Sequence, residues 1–176
     1  MSLYLAFTLS NEDKQKLSLP LLEFKKKTNL LAECEDTTAL HITLLKIDND
    51  EVYPVIKAMK IWKNKYQCKS FKIMVDGVYS FPNVYWFGIN NSLPLYRIHS
   101  EFCKILNFLS IPYDNHFKSY VPHITTAFMN SENDDDQSDN IKFDPVEINI
   151  NNIVLWGMDT KIGKAHVSST LFRIDF

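Results

Sequence analysis

The tripeptide His-Ile-Thr occurs twice in this chain, at residues 41–43 and again at residues 123–125. Each copy lies in a run rich in strand-forming residues, Ala39–Ile47 and Val121–Phe128. Successive side chains of a β-strand point to opposite faces, so histidine and threonine share one face and the isoleucine between them points to the other. The fold must therefore bury one face of both strands and keep two polar pairs on the opposite face.

The rest of the chain predicts strands that alternate with helices. Ser10 is followed three residues later by Asp13, a capping-box pairing that predicts a helix running to about Lys27. Further helices are predicted near residues 50–66 and 94–109, and further strands at Leu3–Leu9, Ser70–Asp76, Val84–Ile89, Ile148–Trp156 and Ala165–Ile174. A chain of 176 residues is long enough for one compact core, so we expect a single α+β domain over residues 1–176.

Composition and charge exclude several classes of protein. A net charge of −2 gives no general attraction to long nucleic acid. We expect neither a signal peptide nor a membrane helix, since no basic n-region and no apolar run long enough to cross a bilayer is present. The three widely spaced cysteines form no CxxC pair and no metal knuckle. We therefore expect a protein of the cytoplasm, or of the host cytoplasm if the chain is viral, with no membrane association and no stable protein partner.

One stretch of the chain is unlike the rest. Residues 130–140 are acidic and polar, and we expect a mobile, solvated loop there. The stretch lacks the central glycine and the closing glutamate of a calcium-binding loop.

The two polar pairs suit the cleavage of a phosphodiester. A neutral histidine takes a proton from the attacking hydroxyl or water, and a protonated histidine donates one to the leaving oxygen. The hydroxyls of Thr43 and Thr125 can bind the non-bridging oxygens, so no metal and no cofactor are needed. A single His-x-Thr motif is more often a partly buried histidine, but two motifs in predicted strands of different halves favour His41 and His123 as a catalytic pair.

With these motifs the chain resembles the 2H phosphoesterases, the LigT-like group defined by two HxT or HxS motifs. The match extends to the flanks Leu40 and Pro122, and the segments Phe71–Gly77 and Val84–Gly88 resemble the glycine turn and tryptophan strand between the motifs. The resemblance implies a bilobal fold, with two antiparallel sheet lobes around a central groove and helices outside. It also implies metal-independent phosphodiesterase activity, with His123 as the base and His41 as the acid.

Four further residues are predicted to bind substrate. Tyr4 on the first strand and Trp156 on a late strand can stack on a base, and Lys118 and Tyr120 can contact phosphate and base just before the second motif. Each also has a plainer interpretation, as a packing aromatic residue or part of an exposed loop. Trp86 is predicted to belong to the core.

The predicted substrate is a small nucleotide or oligonucleotide with a 2′,5′ linkage. A cyclic dinucleotide such as 2′,3′-cGAMP, or a 2′,5′-oligoadenylate messenger, fits the low net charge. It also fits a residue usage typical of AT-rich viral genomes, and destruction of such a messenger would serve viral immune evasion. One alternative is the processing of RNA ends or of 2′,3′-cyclic phosphates. Another is a non-catalytic nucleotide-binding module, which has no need for both a proton donor and a proton acceptor.

Overall fold

A computed structural model of the chain describes residues 2–28, 33–34, 40–48, 50–81, 84–114, 119–128, 141–159 and 167–176. The strands in these ranges are β1 (Ser2–Thr8), β2 (Glu33–Cys34), β3 (His41–Ile47), β4 (Phe71–Phe81), β5 (Val84–Asn90), β6 (His123–Phe128), β7 (Ile141–Ile150), β8 (Asn152–Asp159) and β9 (Val167–Asp175). The helices are α1 (Asn11–Thr28), α2 (Val52–Tyr66) and α3 (Leu93–Phe108).

The strands form two antiparallel sheets. The first has the order β3-β1-β8-β9 and the second the order β2-β6-β5-β4-β7. The two motifs fall in different sheets, the first on edge strand β3 and the second on β6. This arrangement confirms the predicted α+β fold with two antiparallel sheet lobes.

Buried side chains from both sheets and all three helices form one hydrophobic cluster. Its largest member is Trp62 on α2, which stacks on Phe102 of α3 with 5.1 Å between ring centroids. The indole Nε1 of Trp62 donates a hydrogen bond of 2.9 Å to Glu101, so the buried polar atom is satisfied. The aromatic contact fixes α2 against α3 on the side of the first sheet that faces away from the first motif.

The predicted start of α1 is confirmed by its hydrogen bonds. The backbone N–H of Asp13 donates to Ser10 Oγ at 3.0 Å, and Ser10 Oγ donates to the Asp13 carboxylate at 2.7 Å. Asp13 is buried, yet it also pairs with Lys16 at 3.0 Å. The cap therefore satisfies a helix-terminal donor without leaving a buried charge unpaired.

The C-terminal half differs from the prediction at one strand. The predicted strand Ile148–Trp156 consists of parts of β7 and β8, which are separated by Asn151. Pro145 lies inside β7, and a proline argues against a strand unless the strand is at an edge or a bulge. Strand β7 is at the edge of the second sheet, and its register with β4 shifts between Lys142 and Val146, which accommodates the proline.

Two smaller differences concern the second sheet. Strand β4 does not end at Asp76 but continues to Phe81, because a bulge between Val75 and Gly77 absorbs the glycine at which the sequence predicts a turn. The short strand β2 is not predicted by the sequence. The acidic stretch 130–140 lies outside the described residues. None of the three described helices combines the length and the hydropathy that a bilayer-spanning helix requires.

Candidate active site

Strand β3 presents the first motif as its alternation predicts. Ile42 and Leu44 are buried, whereas His41 and Thr43 are half-buried on the other face. In the neighbouring strand β1, Thr8 lies opposite His41, and Ala6 lies opposite Thr43. Cross-strand partners share a face, so Thr8 and Ala6 lie on the same face of the sheet as the first motif.

The imidazole of His41 packs edge-to-face against Trp156 of β8, with 4.8 Å between ring centroids. Trp156 lies opposite Tyr4 of β1, whereas His41 lies opposite Thr8, so the two rings meet along a diagonal whose midpoint is Ala6. Ala6 is fully buried. A methyl side chain at this position leaves room for the two rings, and Trp156 in turn limits the orientations open to His41. The indole Nε1 of Trp156 donates to Thr170 Oγ1 at 3.1 Å, which anchors the ring from β9.

A bulge in β3 adds a basic residue to the same face. Between β1 and β3 the register passes from Leu5 opposite Leu45 to Ala6 opposite Thr43, so Leu44 is the extra residue. Lys46 therefore lies opposite Tyr4 and shares a face with His41 and Thr43, although regular alternation would have turned it away. Its Nζ is 3.7 Å from Asp114. The pattern of the sequence did not reveal this lysine, because the bulge has no clear local signal.

Strand β6 presents the second motif in the same way. Ile124 and Thr126 are fully buried, and His123 and Thr125 are half-buried on the opposite face. The ring nitrogen Nδ1 of His123 is 2.8 Å from the carbonyl oxygen of Val121. A carbonyl can only accept, so Nδ1 carries the proton, and the neutral ring has its lone pair at Nε2. This is the tautomer that a general base working through Nε2 requires.

The surroundings of His123 also favour its neutral form. Burial lowers the pKa of His123 below the usual value of a histidine, and the hydrogen bond to Val121 opposes this effect to a smaller extent. A lowered pKa keeps the ring unprotonated at neutral pH. The electrostatics therefore agree with the tautomer.

An aromatic pair supports His123 from β5 and β4. Trp86 lies opposite Thr125 and packs edge-to-face on His123 with 5.7 Å between centroids, while Tyr79 stacks on Trp86 at 5.1 Å. The prediction that Trp86 belongs to the core is wrong, since the side chain is half-buried beside the second motif. The sequence could not have indicated this, because only the pairing of β5 with β6 places Trp86 beside the motif.

The two motifs lie beside each other where the sheets meet. Strands β3 and β6 pack together, and the hydroxyl of Tyr120 donates to the carbonyl oxygen of Thr43 at 3.1 Å. Tyr120 stands three residues before His123, so this bond joins the approach to one motif with the backbone of the other. The arrangement brings two imidazoles and two threonine hydroxyls to one region of the molecule.

The four residues that were predicted to bind substrate do not all lie on the face of the first motif. Tyr4 and Trp156 are cross-strand partners in the row of Lys46, next to the row that contains Thr43, and both are half-buried. The ring of Tyr120 is packed against α3 and its hydroxyl donates to the carbonyl oxygen of Thr43, and its contact with substrate stays a prediction. Lys118 lies outside the described residues.

Metal ligands are not gathered at this site. Within the ranges that the structure describes, no three histidine, cysteine, aspartate or glutamate side chains are close enough together to hold a metal ion. Independence of metal ions stays a prediction that chelation can test.

Comparison with known proteins places this geometry in a family. The model of the 2′-5′ RNA ligase superfamily matches residues 29–161 of the chain. No curated protein matches it by sequence.

Solved structures share the fold over 83% to 99% of the chain. TT0787 of Thermus thermophilus is 18% identical with a TM-score of 0.79, and 99% of this chain and 97% of that chain are covered. LigT of E. coli complexed with NADP+ is 16% identical with a TM-score of 0.73, with 98% and 95% covered. The MHV ns2 PDE domain is 16% identical with a TM-score of 0.61, with 83% and 89% covered. The predicted LigT-like fold is confirmed.

Proposed function

The chain belongs to the 2′-5′ RNA ligase superfamily, and from that premise we propose that His123 and His41 are the general base and general acid of its reaction. The predicted phosphodiesterase class is confirmed at the level of the family. The observation that carries the proposal is the placement of two half-buried His-x-Thr pairs on β3 and β6, which pack together.

The proposed reaction needs two proton transfers and no cofactor. Nε2 of neutral His123 takes the proton of the attacking hydroxyl or water, and the oxygen attacks phosphorus. The imidazolium of His41 gives its proton to the leaving oxygen as the old P–O bond breaks. The hydroxyls of Thr43 and Thr125 donate to the non-bridging oxygens, where negative charge increases in the transition state.

The pH dependence of the reaction follows from the environment of His123. We expect a bell-shaped profile of kcat/KM, because one imidazole must be neutral and the other protonated. Burial favours neutral His123, so the pKa of the base is lowered and the acidic limb should lie below the usual histidine value of about 6.5. Initial rates from pH 4 to 9 at constant ionic strength would measure it. An acidic limb above that value would contradict His123 as the base.

The substrate that we propose is a small nucleotide with a 2′,5′ linkage, such as a cyclic dinucleotide or an oligoadenylate messenger. Tyr4 and Trp156 offer aromatic side chains on the face of His41 and Thr43, and Lys46 adds an ammonium group there, paired with Asp114. E. coli LigT has been solved with 3′-AMP and with ATP, which supports a site of nucleotide size. Removal of such a messenger in the cytoplasm of an infected cell is the role that fits, as immune evasion.

Linkage preference tests the substrate. In a 2′,5′ bond the free 3′-hydroxyl is the internal nucleophile, whereas attack by a 2′-hydroxyl requires a 3′,5′ bond. We expect 2′,5′-linked dinucleotides to be cleaved faster than their all-3′,5′ isomers in excess EDTA, measured by chromatography of the products. A preference of about tenfold or more in the other direction, some 1.4 kcal/mol, would favour processing of RNA ends.

Loss of activity in EDTA that a divalent ion restores would contradict the metal-independent mechanism.

A further inference from the structure

Tyr120 makes an unusual combination of contacts for a residue so close to a motif histidine. Its ring lies parallel to His99 of α3, with 4.3 Å between centroids and 2° between planes, and edge-on to Tyr96 at 5.7 Å. Its hydroxyl leaves this aromatic cluster and reaches the carbonyl oxygen of Thr43 at 3.1 Å. Burial raises the pKa of Tyr120 far above its usual value, so the phenol keeps the proton that it donates.

The acceptor of this bond lies on the outer edge of the first sheet. Farther along the same edge, the backbone N–H of Asp114 donates to Lys46 at 2.9 Å, and the N–H of Asp48 donates to Pro112 at 3.1 Å. Those bonds cover the end of β3 beyond its bulge. At Thr43, on the other side of the bulge, the edge carbonyl accepts its hydrogen bond from a side chain and not from backbone. That side chain is Tyr120, in the segment that leads into the second motif.

The segment Tyr120–His123 is thus bonded at both ends to catalytic groups. At one end Tyr120 holds Thr43, and at the other the carbonyl of Val121 holds Nδ1 of His123. Only one residue, Pro122, separates Val121 from His123, and the fixed φ of proline stiffens the connection. A shift of β3 relative to β6 would have to break or strain the bond between Tyr120 and Thr43, while the bond between Val121 and His123 holds the imidazole to the same segment.

We propose that Tyr120 is a positioning residue, whose bond to Thr43 fixes the first His-x-Thr pair relative to the second. The inference rests on the proposed function, since it states that the hydroxyl of Tyr120 fixes the distance between the two catalytic histidines. In this role Tyr120 acts through the backbone of Thr43 and not on the reacting atoms.

The test is Tyr120→Phe, which removes the hydroxyl and keeps the ring. We expect kcat on a 2′,5′-linked dinucleotide to fall about 10- to 100-fold with little change in KM, because misplacement of a proton-transfer group by a fraction of an ångström affects the transition state most. Tyr96→Phe is the matched control, since Tyr96 belongs to the same aromatic cluster but does not reach Thr43. It should keep the wild-type rate.

A double-mutant cycle separates positioning from general damage to the fold. In the His41→Ala background Tyr120→Phe should cost little more, because no pair of histidines is left to position. An equal loss in both backgrounds, or an unchanged kcat of Tyr120→Phe, would overturn the inference. If Tyr120→Phe does not fold, His99→Leu takes its place in the same cycle, because loss of the stacked ring leaves Tyr120 less firmly held against Thr43. Its kcat should fall in the wild-type background and little further in the His41→Ala background, and an unchanged kcat or an equal loss in both backgrounds would overturn the inference. The proposed function fails separately, if His41→Ala and His123→Ala stay active.

Discussion

His41→Ala and His123→Ala should each lower kcat by about 10²–10⁴-fold, which is the usual value of a positioned proton-transfer group. Both side chains are half-buried on the open face of their strands, so truncation opens no cavity in the core. The double variant should be little slower than either single variant, because both groups act in one transition state. Single-turnover rates with a 2′,5′-linked dinucleotide would measure the three losses, and near-wild-type turnover of either variant would exclude the pair.

The neighbouring threonines of β6 provide a matched control. Thr125 is on the face of His123, whereas Thr126 points into the core, where its hydroxyl has no hydrogen-bond partner among the described residues. Thr125→Val should slow the reaction, since a donor to the phosphate is lost. Thr126→Val should leave the rate unchanged and should not destabilise the fold, because it replaces an unsatisfied polar group with a methyl of similar size.

A substrate with a good leaving group distinguishes acid from base. A nitrophenyl phosphodiester needs no proton on its leaving oxygen, so the variant that lacks the acid should recover much of its rate. We expect this recovery for His41→Ala and not for His123→Ala. The opposite result would exchange the two roles and keep the mechanism.

The second large effect is expected at Gly88, which contains no functional group. A β-carbon there would come within 2.7 Å of Cδ2 of Tyr79 and closer still to Cε2, so the ring must move. Tyr79 stacks on Trp86, and Trp86 packs on His123. Gly88→Ala should therefore displace the base and lower kcat by on the order of 10²-fold. We also expect the free energy of unfolding to fall by about 1–3 kcal/mol, as for an overpacked core.

Removal of the displaced ring is the control for this variant. Tyr79→Ala in the Gly88→Ala background takes away the atoms that the new methyl meets, so the double variant should be faster than Gly88→Ala alone. If Tyr79→Ala makes the loss greater, the glycine matters for a reason other than the Tyr79 ring. Chemical denaturation of each variant would show that the rates refer to folded protein.

The faces of the two motifs could be predicted because they depend only on the alternation of a strand. His41, Thr43, His123 and Thr125 required no knowledge of the partner strands, and local capping chemistry likewise identified the start of α1 at Ser10. Family resemblance then supplied the pairing of the lobes, which no local pattern contains.

The features that could not be predicted arise from contacts between distant strands. Lys46 lies on the same face as His41 and Thr43 only because of a bulge in the pairing of β1 with β3. Trp86 looked like a core residue because its run is apolar, and only the pairing with Thr125 shows that it lies beside His123. The contacts of Tyr120 with His99 and Tyr96 could not be predicted either, because they depend on where α3 packs.

Pro145 has a consequence for the behaviour of the protein at high concentration. An exposed sheet edge is a template on which another copy can add a strand, and long flat edges promote aggregation. In β7, the edge of the second sheet, Pro145 lacks an N–H donor and falls where the register with β4 shifts. The edge is thereby divided into two shorter stretches, and we expect each to be a weaker template for an added strand than one continuous edge would be.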